Sequence, residues 1–143
     1  MRIDDAQRRA RVARRHRLAP AARADDPVQV ADDLVALHGT DPATVYLSMW
    51  ARLRDPELAA LDRALYDDRR LVRMLGMRRT MFVVPTDFAA LLQAACTRAI
   101  AAQQRKLLAG YLKAAGIEGD PAAWLMDVEA GTLRALRRRG SAY

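Results

Sequence analysis

Apolar positions fall at helical spacing along most of this chain. Val30, Leu34 and Leu37 lie at i, i+4, i+7, and Tyr46, Met49, Trp50 and Leu53 at i, i+3, i+4, i+7. Leu58, Leu61 and Leu65 form a third stripe. After Arg70 the period changes. Leu71–Leu75 and Thr80–Val84 are β-prone runs joined by Gly76, Met77, Arg78 and Arg79, a pattern that predicts a hairpin. From Thr86 the helical period returns. Phe88, Leu91, Leu92, Ala95, Ala99 and Ile100 share one face, which continues past Leu107, Leu108 and Tyr111 until Gly116 and Gly119. A last helix, with Leu125, Val128, Leu133 and Leu136 on its apolar face, is predicted from Pro121 to about Arg139. Gly140 is its expected C-terminal cap.

The punctuation agrees with this division. Four prolines follow an aspartate, at Asp26-Pro27, Asp41-Pro42, Asp55-Pro56 and Asp120-Pro121. Each pair reads as a helix start: the carboxylate caps a free backbone N–H, and proline at the first helical position sacrifices no hydrogen bond. Thr86 is a fifth candidate cap. Gly39 falls between a helix expected over 27–38 and another over 42–53, so the two form a helix-turn-helix candidate with Gly39 in a left-handed turn. Tyr46, Met49 and Trp50 are expected in the core, because an aromatic stripe at helical spacing is usually a buried face. The fold class that follows is mainly α. It has a basic helix over 1–24, a winged helix-turn-helix domain with a short β-hairpin wing over 25–85, and a helical connector over 86–143. The connector leads into an incomplete second winged-helix unit.

Charge narrows the function. Twenty-four Lys and Arg against 17 Asp and Glu give a net charge of +7, which favours a polyanionic partner. The bases cluster. Arg8 and Arg9 belong to a group on the first helix; Arg73, Arg78 and Arg79 surround the hairpin; Arg134, Arg137, Arg138 and Arg139 close the last helix. For the wing arginines, phosphate contact is the favoured reading over a solvated face. For Arg8 and Arg9 the two stand level. The single Cys96 excludes an internal disulfide, and two histidines with one cysteine give no zinc pattern. Neither a glycine-rich phosphate loop nor an apolar run of membrane-spanning length is present.

One tract carries more than composition. Leu37-His38-Gly39-Thr40-Asp41-Pro42, with the following helix to Arg52, resembles the first winged-helix domain of the AlkZ-like (YcaQ-like) DNA glycosylases, where the tract reads Leu-Gln-x-Gln-Asp-Pro. Met77-Arg78-Arg79-Thr80 is similar to that family's Met-Arg-Gly-Thr before an apolar strand. The resemblance spans essentially the whole chain and implies double-stranded DNA, alkylated DNA included, as partner. It implies no cofactor, no metal, no membrane, and a cytoplasmic, nucleoid-associated protein. In the family the two glutamines hold a water and stabilise an oxocarbenium-like transition state at the sugar of a flipped base. Here His38 and Thr40 stand in their places. The resemblance makes them the candidate catalytic pair, with His38 taking a proton from the water and Thr40 holding it. The local alternative is a histidine favoured by a helix C-terminus and an ordinary turn threonine. Asp41 is expected to cap rather than act as a base.

The chain reads as the N-terminal portion of a longer protein, the last helix resembling the first helix of a second unit. DNA binding is the function expected. Excision of N-alkylated or crosslinked bases is the enzymatic rival, and a portion that only docks on further domains is the third.

Overall fold

The computed structural model describes residues 3–140, and the chain divides after Arg98 into two compact units. In the first, helix α1 spans Asp5–Arg15, α2 Pro27–Asp33, α3 Pro42–Trp50 and α4 Leu58–Asp62, the last continuing as a wider π turn over Arg63–Asp67. Strand β1 is Leu37–His38, β2 Leu71–Leu75 and β3 Met81–Pro85. A four-residue helix α5, Ala89–Leu92, follows and runs into a second π turn over Gln93–Thr97. Aspartates start three of these helices, Asp26 and Asp41 as expected and Asp4 in addition. Asp4 Oδ1 accepts from the Gln7 N–H at 2.7 Å, and Asp26 and Asp41 accept from Val28 and Ala43 at 3.0 Å. Asp55 does not. Helix α4 begins after Glu57, with no side-chain cap. Thr86 caps nothing either, because its hydroxyl donates to the Arg69 carbonyl at 2.6 Å.

The helix expected over 27–38 stops at Asp33. Val35 takes a left-handed φ of 69°, and Leu37–His38 leaves as a strand. The reason lies in what the apolar spacing demands. It requires Leu37 inside, and a strand delivers that as well as a helix does. Leu37 sits opposite Val83 in the antiparallel β1–β3 pair, and both are about fully buried, at 3% and 1% exposure. The three strands lie in the order β1-β3-β2, all antiparallel. The consecutive helices are therefore α3 and α4, not α2 and α3. A mainly helical fold with a small three-stranded sheet in this order is consistent with a winged-helix-like domain.

Gly39 is required for space rather than for a left-handed turn. Its φ is not positive; its N–H donates to the Met81 carbonyl at 2.8 Å, extending the ladder beyond β1. A Cβ there would lie 3.3 Å from Val83 Cγ2 and 3.4 Å from Val45 Cγ2. The core beneath is built by Val30, Ala31, Leu37, Val45, Met49, Leu53, Leu61, Ala64, Leu71 and Val83. Met49 is buried as expected, but Trp50 is 54% exposed and Tyr46 only half-buried. Trp50 is the last residue of α3, whose buried residues are Val45 and Met49.

In the second unit, α6 covers Arg98–Ala114 and α7 Pro121–Arg139. Gly116 and Gly119 turn the chain between them with φ of 84° and 85°. Asp120 caps α7, Gly140 ends it with a φ of 76°, and Arg105 pairs with Glu129. Leu125 is buried, while Leu107, Tyr111, Met126 and Leu133 are exposed.

Candidate nucleic-acid interface

The sheet brings the two candidate clusters onto one element. His38 is the last residue of β1, opposite Phe82 of β3, and its ring meets the Phe82 ring edge-on at a centroid distance of 5.6 Å. Thr40 follows one residue after Gly39. Its Oγ1 accepts from the Met81 N–H at 3.2 Å and lies 3.3 Å from His38 Nε2. The pair is thus held against β3, and both residues are exposed to solvent. His38 ends a strand, not the helix expected over 27–38.

This geometry limits the chemistry to two arrangements. If the threonine hydroxyl donates to Nε2, the proton of a neutral imidazole sits on Nδ1 and the ring has no free lone pair. If Nε2–H donates to Thr40 Oγ1, Nδ1 keeps a lone pair and the hydroxyl proton is free to hold a water. Only the second arrangement leaves the ring able to take a proton from water. Asp41 is occupied as a cap. Oδ1 accepts from Ala43, and Oδ2 accepts from the Thr44 hydroxyl at 3.4 Å.

Arg73 lies in the middle of β2 and does something the sequence does not reveal. Its Nε donates to the Gly39 carbonyl at 2.7 Å and its Nη2 to the Thr40 carbonyl at 3.1 Å. It braces the turn that carries the histidine–threonine pair. No local pattern links positions 39 and 73; only the strand register does.

The wing tip is different. Arg78 and Arg79 are exposed, and neither has a carboxylate within 4 Å among the described residues. Arg78 has φ 55° and ψ 23°, Arg79 has φ 60°, and the Thr80 N–H donates to the Met77 carbonyl at 3.1 Å. Both central residues are left-handed, in the sense of a type I′ turn. Arg8 and Arg9 lie apart on α1, a helix with no buried residue, where Arg8 sits 3.9 Å from Asp5. Around α4 the exposed acids Asp55, Glu57, Asp62, Asp67 and Asp68 alternate with the exposed bases Arg54, Arg63, Arg69 and Arg70. Asp62 also accepts the Tyr46 hydroxyl at 2.6 Å. This bond, then burial, then the Asp62 charge push the phenol well above its ordinary range.

Among the described residues, no group of three or more His, Cys, Asp and Glu side chains is placed to hold a metal, and no helix is long and apolar enough to cross a membrane. Comparison with curated proteins and with solved structures gives no match. The model of a protein family described as DNA glycosylase AlkZ-like matches residues 31–142. That span begins in α2, takes in the braced turn, the whole sheet and the wing, and covers most of the chain. The chain belongs to the AlkZ-like DNA glycosylase family.

Proposed function

We propose that this protein binds duplex DNA through the wing of its first unit, as a DNA-repair protein of the AlkZ-like family. The observation that carries the reading is the pair Arg78–Arg79, two exposed guanidinium groups without acidic partners at the tip of a hairpin. Guanidinium groups so placed form charge-assisted bonds to phosphate, and the counterions they displace make binding fall with salt. Titration of a labelled duplex at low and at physiological ionic strength tests this. The reading predicts binding that weakens steeply with salt and varies little with sequence. Absence of binding at low salt, or binding indifferent to salt, contradicts it.

A second reading, base excision, is favoured by the contact between His38 and Thr40 beside the braced Gly39 and Thr40 carbonyls. An N-alkylated purine is already cationic and leaves readily once water is presented to the sugar. With Nε2–H on Thr40, His38 Nδ1 takes the proton of that water. The assay is release of an N7-alkylated base from duplex, scored as abasic sites. Excision predicts activity that falls as the imidazole protonates, and a His38→Ala variant that loses turnover while keeping DNA affinity. Base release no faster than spontaneous depurination at every pH rules this reading out and leaves the binding proposal standing.

A further inference from the structure

Helix α7 leaves most of its apolar surface without a partner. It buries Leu125 alone, while Trp124, Met126, Val128, Leu133 and Leu136 are each at least 39% exposed. Two stripes flank the Leu125 face. One runs through Met126 and Leu133 and is broken at its middle by Glu129, which pairs with Arg105 of α6. The other holds Trp124, Val128, Gly131 and Ala135, at i, i+4, i+7 and i+11, the spacing of a coiled-coil seam. It lies about 100° round the helix from Leu125. Its two halves differ: the large residues come first and the small ones last. Turned end for end, the stripe fits itself, with Trp124 on Ala135 and Val128 on Gly131. Glycine is unfavourable inside a helix, and nothing in the second unit requires it at 131. A Cβ there would meet, beyond the helix's own backbone, only Arg134 Nη2, at 3.8 Å.

Charge follows the same division. The acids of α7, Asp127 and Glu129, lie in its first half, and its bases, Arg134, Arg137, Arg138 and Arg139, in its second. The helix dipole favours this order only in the terminal turns, and Asp127 and Arg134 lie between them. Arg134 and Arg138 are one turn apart and repel each other, and neither has a carboxylate within 4 Å among the described residues. Asp127 and Arg134 stand seven residues apart on one flank of the stripe, both exposed. End-for-end pairing sets Asp127 of each copy against Arg134 of the other, and two-fold symmetry makes the contact twice. It also brings Arg138 beside Asp120. A partner of unlike sequence would need both orders in reverse, large against small and acid against base; a second copy has them by construction. We propose that α7 pairs antiparallel with α7 of a second copy along the Trp124–Ala135 stripe, so that the protein forms a two-fold dimer. One helix pair makes a small interface, so the dimer is a weak one that forms as concentration rises.

Sedimentation of the whole chain over a range of concentrations tests this, with no DNA present, so the outcome is independent of the duplex-binding reading. The parent should pass from the mass of one chain to that of two. Gly131→Leu fills the space that Val128 of the other copy enters and should weaken association by on the order of tenfold or more. Its circular dichroism should show the helix intact, because leucine favours a helix over glycine. Asp127→Arg and Arg134→Asp each set like charges together and should sediment as single chains. An equimolar mixture of these two variants should dimerise again, because each then presents the charge that the other lacks. A parent that stays a single chain at every concentration overturns the proposal and leaves the stripe to a partner of another kind. A dimer that persists in both charge variants, or a mixture of the two folded variants that does not associate, overturns the antiparallel pairing of α7.

Discussion

Gly39 shows how a single residue is selected by the approach of two elements. Its missing side chain lets β1 close on β3 and lets α3 follow three residues later, with Val83 and Val45 on either side. Gly39→Val therefore adds atoms to a packed site; overpacking of this kind costs about 1–3 kcal/mol. Gly39→Ala, whose Cβ meets Val83 at 3.3 Å, should cost less. Thermal melting orders the three proteins as parent, alanine, valine. Equal melting temperatures would mean that the ladder at Met81 does not need this close approach. From the sequence, a glycine between two helical stripes suggests a left-handed turn. The steric requirement emerges only when Val83, far along the chain, is known to lie opposite.

The same limit governs the elements. Helix starts at Pro27, Pro42 and Pro121 are legible because the cap and the proline are local signals, as is the hairpin with its Gly76 and change of period. The end of α2 is not. Leu37 satisfies the apolar spacing equally well as the next turn of a helix or as a buried strand residue, and only pairing with β3 decides. Asp55 misleads for the converse reason: the Asp-Pro pair is there, but the chain from Leu53 is still returning from its parallel bridge with Ala24 and turns helical only at Leu58. The pairing of α3 with α4 through Tyr46 and Asp62 is equally non-local and can be measured. Tyr46→Phe removes a hydrogen bond to a carboxylate and should cost about 1 kcal/mol. Because the folded phenol is held above its ordinary pKa of 10.0, its contribution is complete below that value and is lost as pH rises through the folded one. The difference in stability between parent and variant should stay constant across neutral pH and vanish only in strong alkali. A difference that instead appears at acid pH and is missing at neutral pH would assign Tyr46 another role.

At the scale of the whole molecule, charge is unevenly spent. The net +7 suggests a diffuse affinity for polyanions, yet within the first unit the charges around α4 are mixed, while the wing tip carries two arginines without acidic partners among the described residues. Arg73, grouped by sequence with the wing arginines, is committed to the Gly39 and Thr40 carbonyls. The candidate site was legible only in part: His38 and Thr40 share a face because they are two apart in extended backbone, whereas their hold on Met81 and the Arg73 brace come from strand pairing that nothing local records. The central claim is that the wing, more than the basic helix α1, carries duplex binding. The most direct measurement compares the salt dependence of duplex affinity for the parent, for Arg78→Ala with Arg79→Ala, and for Arg8→Ala with Arg9→Ala. Loss of each phosphate-neutralising charge lowers the slope of log K against log salt by about one. The wing variant should lose affinity for every duplex and about two units of slope, while the α1 variant stays closer to the parent. An unchanged wing variant beside an α1 variant that no longer binds would contradict the account.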